Sequence, residues 1–268
     1  WLFALVVGAA ILFLAIYAAV KFVGSEQAVQ DTEAAKQLEA ILTPTETGYE
    51  EGKASAPIIF PGMTRVYNTC SPEGNFGEQS IRVSTLFGKK WSEQGSPISS
   101  YNKYIFSPDV MQAEEIYVLS KQFEMPFKVA NLLFIWSDKY CFVNPPTDLE
   151  NEIDNLDLYN LNVTYDITKC NNNSKKVCFV SQLDKCDIFV NPEVKSVTKK
   201  GNLPVYYEGS LIYGAIFSEP EVYECQIKRL MKRTSELALL YDDKSVLIAA
   251  KSGGCSSDLQ ADLQGLAS

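Results

Sequence analysis

Twenty residues pass before the chain meets its first charge: WLFALVVGAAILFLAIYAAV runs unbroken to Lys21. As a helix at about 1.5 Å per residue, that run spans about 30 Å, the thickness of a bilayer's hydrocarbon core. It predicts a helix over residues 1–23 that either crosses a membrane or bundles with copies of itself into a filament core. A cleaved secretory signal would carry a basic lead-in, a shorter apolar region and a small-residue cleavage site, of which only Ala18 and Ala19 give a hint. Small residues allow helices to approach closely, and Gly8, Ala15 and Ala19 are the candidate helix-packing positions.

Beyond Lys21, Ala28, Ala35, Leu38, Ile41 and Leu42 recur at helical spacing until Pro44, which predicts a helical stalk over 24–43. Residues 44–56, PTETGYEEGKASA, read as a linker. The texture then turns to short β-branched and aromatic segments, among them SIRVSTLF, NLLFIW and KYCFV, with Ser137 and Asp138 placed to turn the last two into a hairpin. Thr147 and Glu150 form a capping-box pattern for a helix with Leu149, Ile153 and Leu156 on one face. LNVTYDIT and KVCFV read as strands joined across the Asn-rich turn, and GSLIYGAIF and KSVLIAAK as strands flanking a helix over 219–241. Ser218 and Glu221 open that helix, with Pro220 in its first turn. The expected fold is α+β: a long N-terminal hydrophobic and stalk helix, then a mixed-sheet, disulfide-containing ectodomain over 57–255, then a helical tail over 256–268.

Histidine is absent from the 268 residues, which removes the commonest general base and the commonest metal ligand. The formal net charge is −9, with no long basic run, so a nucleic-acid partner is not expected. Seven cysteines stand at 70, 141, 170, 178, 186, 225 and 255, none as a C-x-x-C pair. That spacing favours disulfides in an oxidising, extracytoplasmic setting over a zinc site. On the 219–241 helix, Tyr223, Ile227, Leu230, Met231, Leu237, Ala238 and Tyr241 share a stripe that leaves Cys225 on the other side. Cys225 with Cys255, and Cys170 with Cys178, are the expected pairs. Asn162 (N-V-T) and Asn172 (N-N-S) are glycosylation acceptors by pattern, with Asn172 the better placed.

The remaining constellations read as surface features. Asp148, Glu150, Glu152, Asp154 and Asp157 lack EF-hand spacing and suit a solvated helix face. Lys228, Arg229, Lys232 and Arg233 suit a charged outer face with Glu224 and Glu236 as partners. Ser120 and Lys121 stand without the motif of a Ser-Lys hydrolase. No phosphate loop, catalytic set, metal or cofactor site is expected, and no enzyme.

The opening, Trp1-Leu2-Phe3 entering the apolar run and the amphipathic stalk, resembles the mature N-terminal helix of type IV pilin-like and archaellin-like subunits. It departs at Leu5, where bacterial pilins favour an acidic residue, and in its α+β head. MPFKVANLLFIW (125–136) and YGAIFSEPEVYECQIKRLMKR (213–233) are similar to single-pass surface proteins of small-genome archaea, a likeness that brings no activity with it. The resemblance implies a cell-surface filament subunit assembled through its N-terminal helix. The alternative is a single-pass, membrane-anchored ectodomain for adhesion. The partners implied are copies of itself, membrane lipid, and a partner cell surface or glycan.

Overall fold

A computed structural model describes residues 6–18, 21, 31, 32, 35, 36, 38, 57–179, 183–251 and 259–267. Residues 6–18 are helical (α1) and exposed. Strands and helices then follow in the order β1 (Ile58–Ser71), β2 (Glu78–Phe87), β3 (Lys90–Trp91), β4 (Ile98–Ser100), β5 (Tyr104–Phe106), β6 (Val110–Glu124), β7 (Lys128–Trp136), β8 (Tyr140–Val143), α2 (Thr147–Asn155), β9 (Leu161–Thr164), β10 (Lys175–Cys178), β11 (Ile188–Asn191), β12 (Ser196–Lys199), β13 (Val205–Tyr206), α3 (Leu211–Phe217), α4 (Pro220–Lys251) and α5 (Leu259–Ala267).

The first sheet runs β3-β2-β1-β6-β7-β5, with β4 paired to β2. Three residues, 101–103, separate β4 from β5, yet β4 bonds β2 and β5 bonds β7. The short link therefore pulls the two margins together and the sheet curls around an interior. Alternation along the strands fills that interior with Val66, Ile81, Val83, Ile116, Val118, Leu133 and Ile135. The other face carries Tyr117, Leu119, Leu132, Phe134 and Trp136 into a second, larger core. β7 is apolar in almost every position because both of its faces are covered. Pro61 and Gly62 fall where the β1–β6 register shifts between Ile59 and Thr64, which is how a long strand tolerates them.

The second sheet runs β13-β12-β11-β10-β8-β9, with β9, β8, β10 and β11 parallel and β12 and β13 antiparallel. Helix α2 makes the crossover from β8 to β9 and buries Leu149 and Ile153. Helix α3 sits at the joint between the sheets. Its Phe217 stacks on Trp136, the last residue of β7, at 4.4 Å between ring centres, and meets Tyr140, the first of β8, edge-on at 4.9 Å. Gly214 brings α3 against β5: a Cβ there would lie 2.6 Å from the Phe106 ring. On its far face the second sheet is covered by Cys141, Val143, Cys170, Cys178 and Cys186 with Ile167, so disulfide sulfur stands where a helix layer would otherwise be.

Several expectations are corrected. Among the described residues no helix is long and apolar enough to cross a membrane. The transmembrane helix and the membrane-anchored localisation fall with that. The long hydrophobic and stalk helix falls too. Residues 31, 32, 35, 36 and 38 are helical, but Ala35 and Leu38 are buried in the curled sheet's core and Asp31 accepts hydrogen bonds from Thr85 and Ser92, so these residues pack against the strands and do not stand free as a stalk. The whole of the 44–56 linker, and Cys255, lie outside the described residues.

Ser137 and Asp138 make no hairpin: β7 and β8 belong to different sheets. Nor do β9 and β10 form one, because β8 lies between them. GSLIYGAIF is helix α3, and KSVLIAAK continues α4 to Lys251. Short apolar runs fit a buried helix as well as a strand, and Asp242-Asp243 supplies no breaker. Thr147 and Glu150 form no capping box, as α2 starts after Pro146 with no side-chain cap and Glu150 accepts from Tyr165 instead. Ser218 closes α3 and does not open α4, its hydroxyl bonding the Gly214 carbonyl.

Candidate functional site

The densest polar constellation lies where α4 covers one end of the curled sheet. Val222, Cys225, Gln226 and Arg229 fall at i, i+3, i+4 and i+7, so they share one face of the helix, and all four are buried. Arg229 is 0% exposed. Its Nη1 donates to the Lys103 carbonyl at 2.9 Å and to Gln226 Oε1 at 2.8 Å. Its Nη2 donates to the carbonyls of Tyr101 at 3.1 Å and Ser100 at 3.5 Å, and its Nε to Phe76 O at 3.2 Å. The guanidinium also lies 5.0 Å from the centre of the Tyr104 ring.

From Arg229 the network continues through amides. Gln226 donates to Ile105 O at 3.1 Å and to Gln79, Gln79 donates to Asn68, and Asn68 donates to Ser107 Oγ at 2.7 Å. Beside it a disulfide joins Cys225 to Cys70 at the end of β1. Gly77, at φ +61°, passes so close that a Cβ would lie 2.6 Å from Arg229 Cγ and 2.5 Å from Ser71 O.

A guanidinium has five N–H donors, and five protein oxygens take them here. Nothing remains to offer a carboxylate or phosphate, so this arginine binds its own chain. Burial lowers its pKa, against the charge of Glu78 and the neighbouring Tyr104, and the carbonyl dipoles compensate the desolvation in place of a counter-ion.

Two smaller clusters sit on the larger core. Lys121 pairs with Glu152, which also accepts from Tyr213 at 2.6 Å. Ser120 and Lys121 are neighbours on β6 and point to opposite faces of the sheet, so they form no dyad. Lys199, on β12, donates to the Ser218 carbonyl at the end of α3. Burial brings its pKa down to about 8, against the pull of Glu219. Between about pH 8 and its ordinary 10.5 the unfolded chain therefore holds the proton that the folded chain has released. Stability should rise with pH through that window by up to about 3 kcal/mol from this group. Urea titrations at pH 7.5 and 9.5 should show wild type gaining on Lys199→Met; equal responses would refute the assignment.

The remaining candidate is apolar and exposed. Along residues 6–18, Ile11, Leu12, Phe13 and Leu14 are 62, 62, 70 and 63% exposed, and a Cβ on Gly8 would meet nothing within 4 Å. The last turns of α4 expose Leu240, Leu247 and Ile248 beside a cleft bordered by Asp243, Lys244 and Lys251.

Gly8 and Ala15 both lie on α1, seven residues and two turns apart, hence on one side; Ala19 is outside the described residues. Cys225 pairs with Cys70, Cys170 with Cys141, and Cys178 with Cys186, so both expected pairings are replaced. The Cys170–Cys178 pair fails because β9 and β10 are not neighbours. Asn172 is exposed in a turn and Asn162 is exposed on β9. Of the KRLMKR run, Lys232 donates to Pro72 O and Gly74 O at 2.6 and 2.8 Å, and Arg233 to Val129 O at 2.8 Å, so backbone carbonyls take the place expected for glutamates on an outer face. Among the described residues no three His, Cys, Asp or Glu side chains are grouped to hold a metal. The chain matches no known protein family, and no characterised protein or solved structure is significantly similar to it.

Proposed function

We propose that this protein is a structural subunit of an oxidising compartment that assembles with copies of itself through the charge-free helix of residues 6–18, displaying the disulfide-linked body. The observation that carries this reading is the exposure of Ile11, Leu12, Phe13 and Leu14 on a helix without a single charged side chain. Contiguous apolar surface of this kind marks an interaction site. Gly8 and Ala15 suit it to close contact with another helix, and the likeness of the opening to pilin-like subunits supports a filament as the form of assembly. The body's polar networks, turned inward onto its own backbone, suit a scaffold better than a catalyst.

Sedimentation and electron microscopy of the disulfide-intact chain test the proposal. Wild type should form ordered assemblies. Gly8→Leu with Ala15→Leu, which holds two helices apart, and Leu12→Glu, which places a charge in the contact, should each yield monomers with an unchanged disulfide map. A wild type that stays monomeric at every concentration, or variants that assemble as well as wild type, would overturn it.

A further inference from the structure

Both acceptor triplets fit the pattern, and the fold gives a physical reason to separate them. Asn162 lies on β9, which is locked to β8 in register from Leu161 to Thr164. Its side-chain amide points at Cys141 Sγ at 3.9 Å. The hydroxyl of its triplet belongs to Thr164, which is 8% exposed; Oγ1 donates to Asp166 O at 3.2 Å and accepts from Asp166 N at 3.1 Å. Both groups that a glycosyl transfer must engage are thus held by the protein.

Asn172 stands in the opposite situation. Residues 171–174 form a turn closed by Ser174 N–H on Asn171 O at 3.0 Å. Asn171 spends its own side chain on that turn, accepting from Asn173 N at 3.1 Å. Asn172 is thereby lifted to the exposed corner, with Ser174 half-exposed two residues on. The disulfide Cys141–Cys170 anchors the chain just before the turn, and β10 anchors it just after. Beside Asn172 opens a shallow depression bordered by Thr168, Lys176, Asp184 and Lys185, a set of hydroxyl, ammonium and carboxylate groups suited to sugar hydroxyls.

We infer that Asn172 carries an N-linked oligosaccharide and that Asn162 does not. In the transfer, the Asn172 amide nitrogen forms a bond to C1 of an oligosaccharide carried on a lipid-linked phosphate. The C1–O bond to phosphate breaks, the phosphate leaves with the bonding electrons, and one amide proton passes to a base of the transferring enzyme. No redox change is involved. The inference stands on the turn geometry and the disulfides, and is independent of self-assembly.

The test is mass spectrometry of protein purified from the cells that make it. After reduction, cleavage at Lys139, Lys169 and Lys175 places the two asparagines on separate peptides. The peptide holding Asn172 should carry a ladder of sugar masses that disappears in Asn172→Gln and in Ser174→Ala, while the peptide holding Asn162 should have its unmodified mass. The disulfide map of each variant verifies folding. An unmodified Asn172 peptide, or sugar on Asn162 to the same extent, would overturn the inference.

Discussion

Arg229→Met should cost about 3–5 kcal/mol, because removing a buried guanidinium strands the groups that were arranged around it. The carbonyls of Phe76, Ser100, Tyr101 and Lys103 and the amide of Gln226 would all lose the donor that the fully buried guanidinium gives them. The flexible Met side chain fills much of the volume, so the loss reports polar satisfaction more than a cavity. Arg229→Lys should recover little, since one ammonium cannot reproduce a planar fork serving acceptors on two links of the sheet and on its own helix. For a chain of this size a loss of 4 kcal/mol lowers Tm by roughly 10 °C. Thermal unfolding followed by circular dichroism measures it, and a Tm within 2 °C or so of wild type would remove the clamp from the account of the fold.

Opening the Cys70–Cys225 disulfide should be the costliest of the three reductions. The bridge joins residues 155 apart, against 29 for Cys141–Cys170 and 8 for Cys178–Cys186. In the chain-entropy account a loop of the first size contributes about 5 kcal/mol and one of the last size about 2.5 kcal/mol. Cys70→Ser with Cys225→Ser should therefore lower the urea midpoint about twice as far as Cys178→Ser with Cys186→Ser. The effect should not add to that of Arg229→Met. Cys225 and Arg229 lie one turn apart on the same face of α4 and fasten the same end of the same sheet, so the second loss acts on a contact already loosened. Equal midpoints for the two disulfide variants would show that loop length does not govern their contributions here.

What could be read in the sequence was whatever leaves a local trace. The alternation in β2, the apolar face of α2 and the oxidised cysteines each declare themselves within a few residues. The partners of Arg229 do not. Four of the five are backbone carbonyls more than a hundred residues away, and a carbonyl has no letter of its own, so a basic run flanked by glutamates reads as a solvated face. One signal was present: Val222 and Cys225 at helical spacing before Arg229 mark a second apolar face on α4. The sheet assignment of β8 was hidden for a similar reason. Two strands separated by Ser137 and Asp138 form a hairpin by every local rule, and the bend toward a different sheet is imposed by Phe217, whose ring fills the joint between Trp136 and Tyr140.

The curled sheet is finished by a helix that is synthesised long after it. Every strand of that sheet has been made by Trp136, while the side chains that occupy its open end, Gln226 and Arg229, arrive some ninety residues later. Until they do, Ser100, Tyr101 and Lys103 must keep their carbonyls hydrated and Cys70 must wait as a thiol while four nearer cysteines, Cys141, Cys170, Cys178 and Cys186, are made. The order of oxidation is thus a matter of timing as well as geometry: the short Cys178–Cys186 loop can close as soon as it emerges, whereas Cys70 cannot meet its partner until the first turns of α4 are made, and any earlier bond it forms has to be undone.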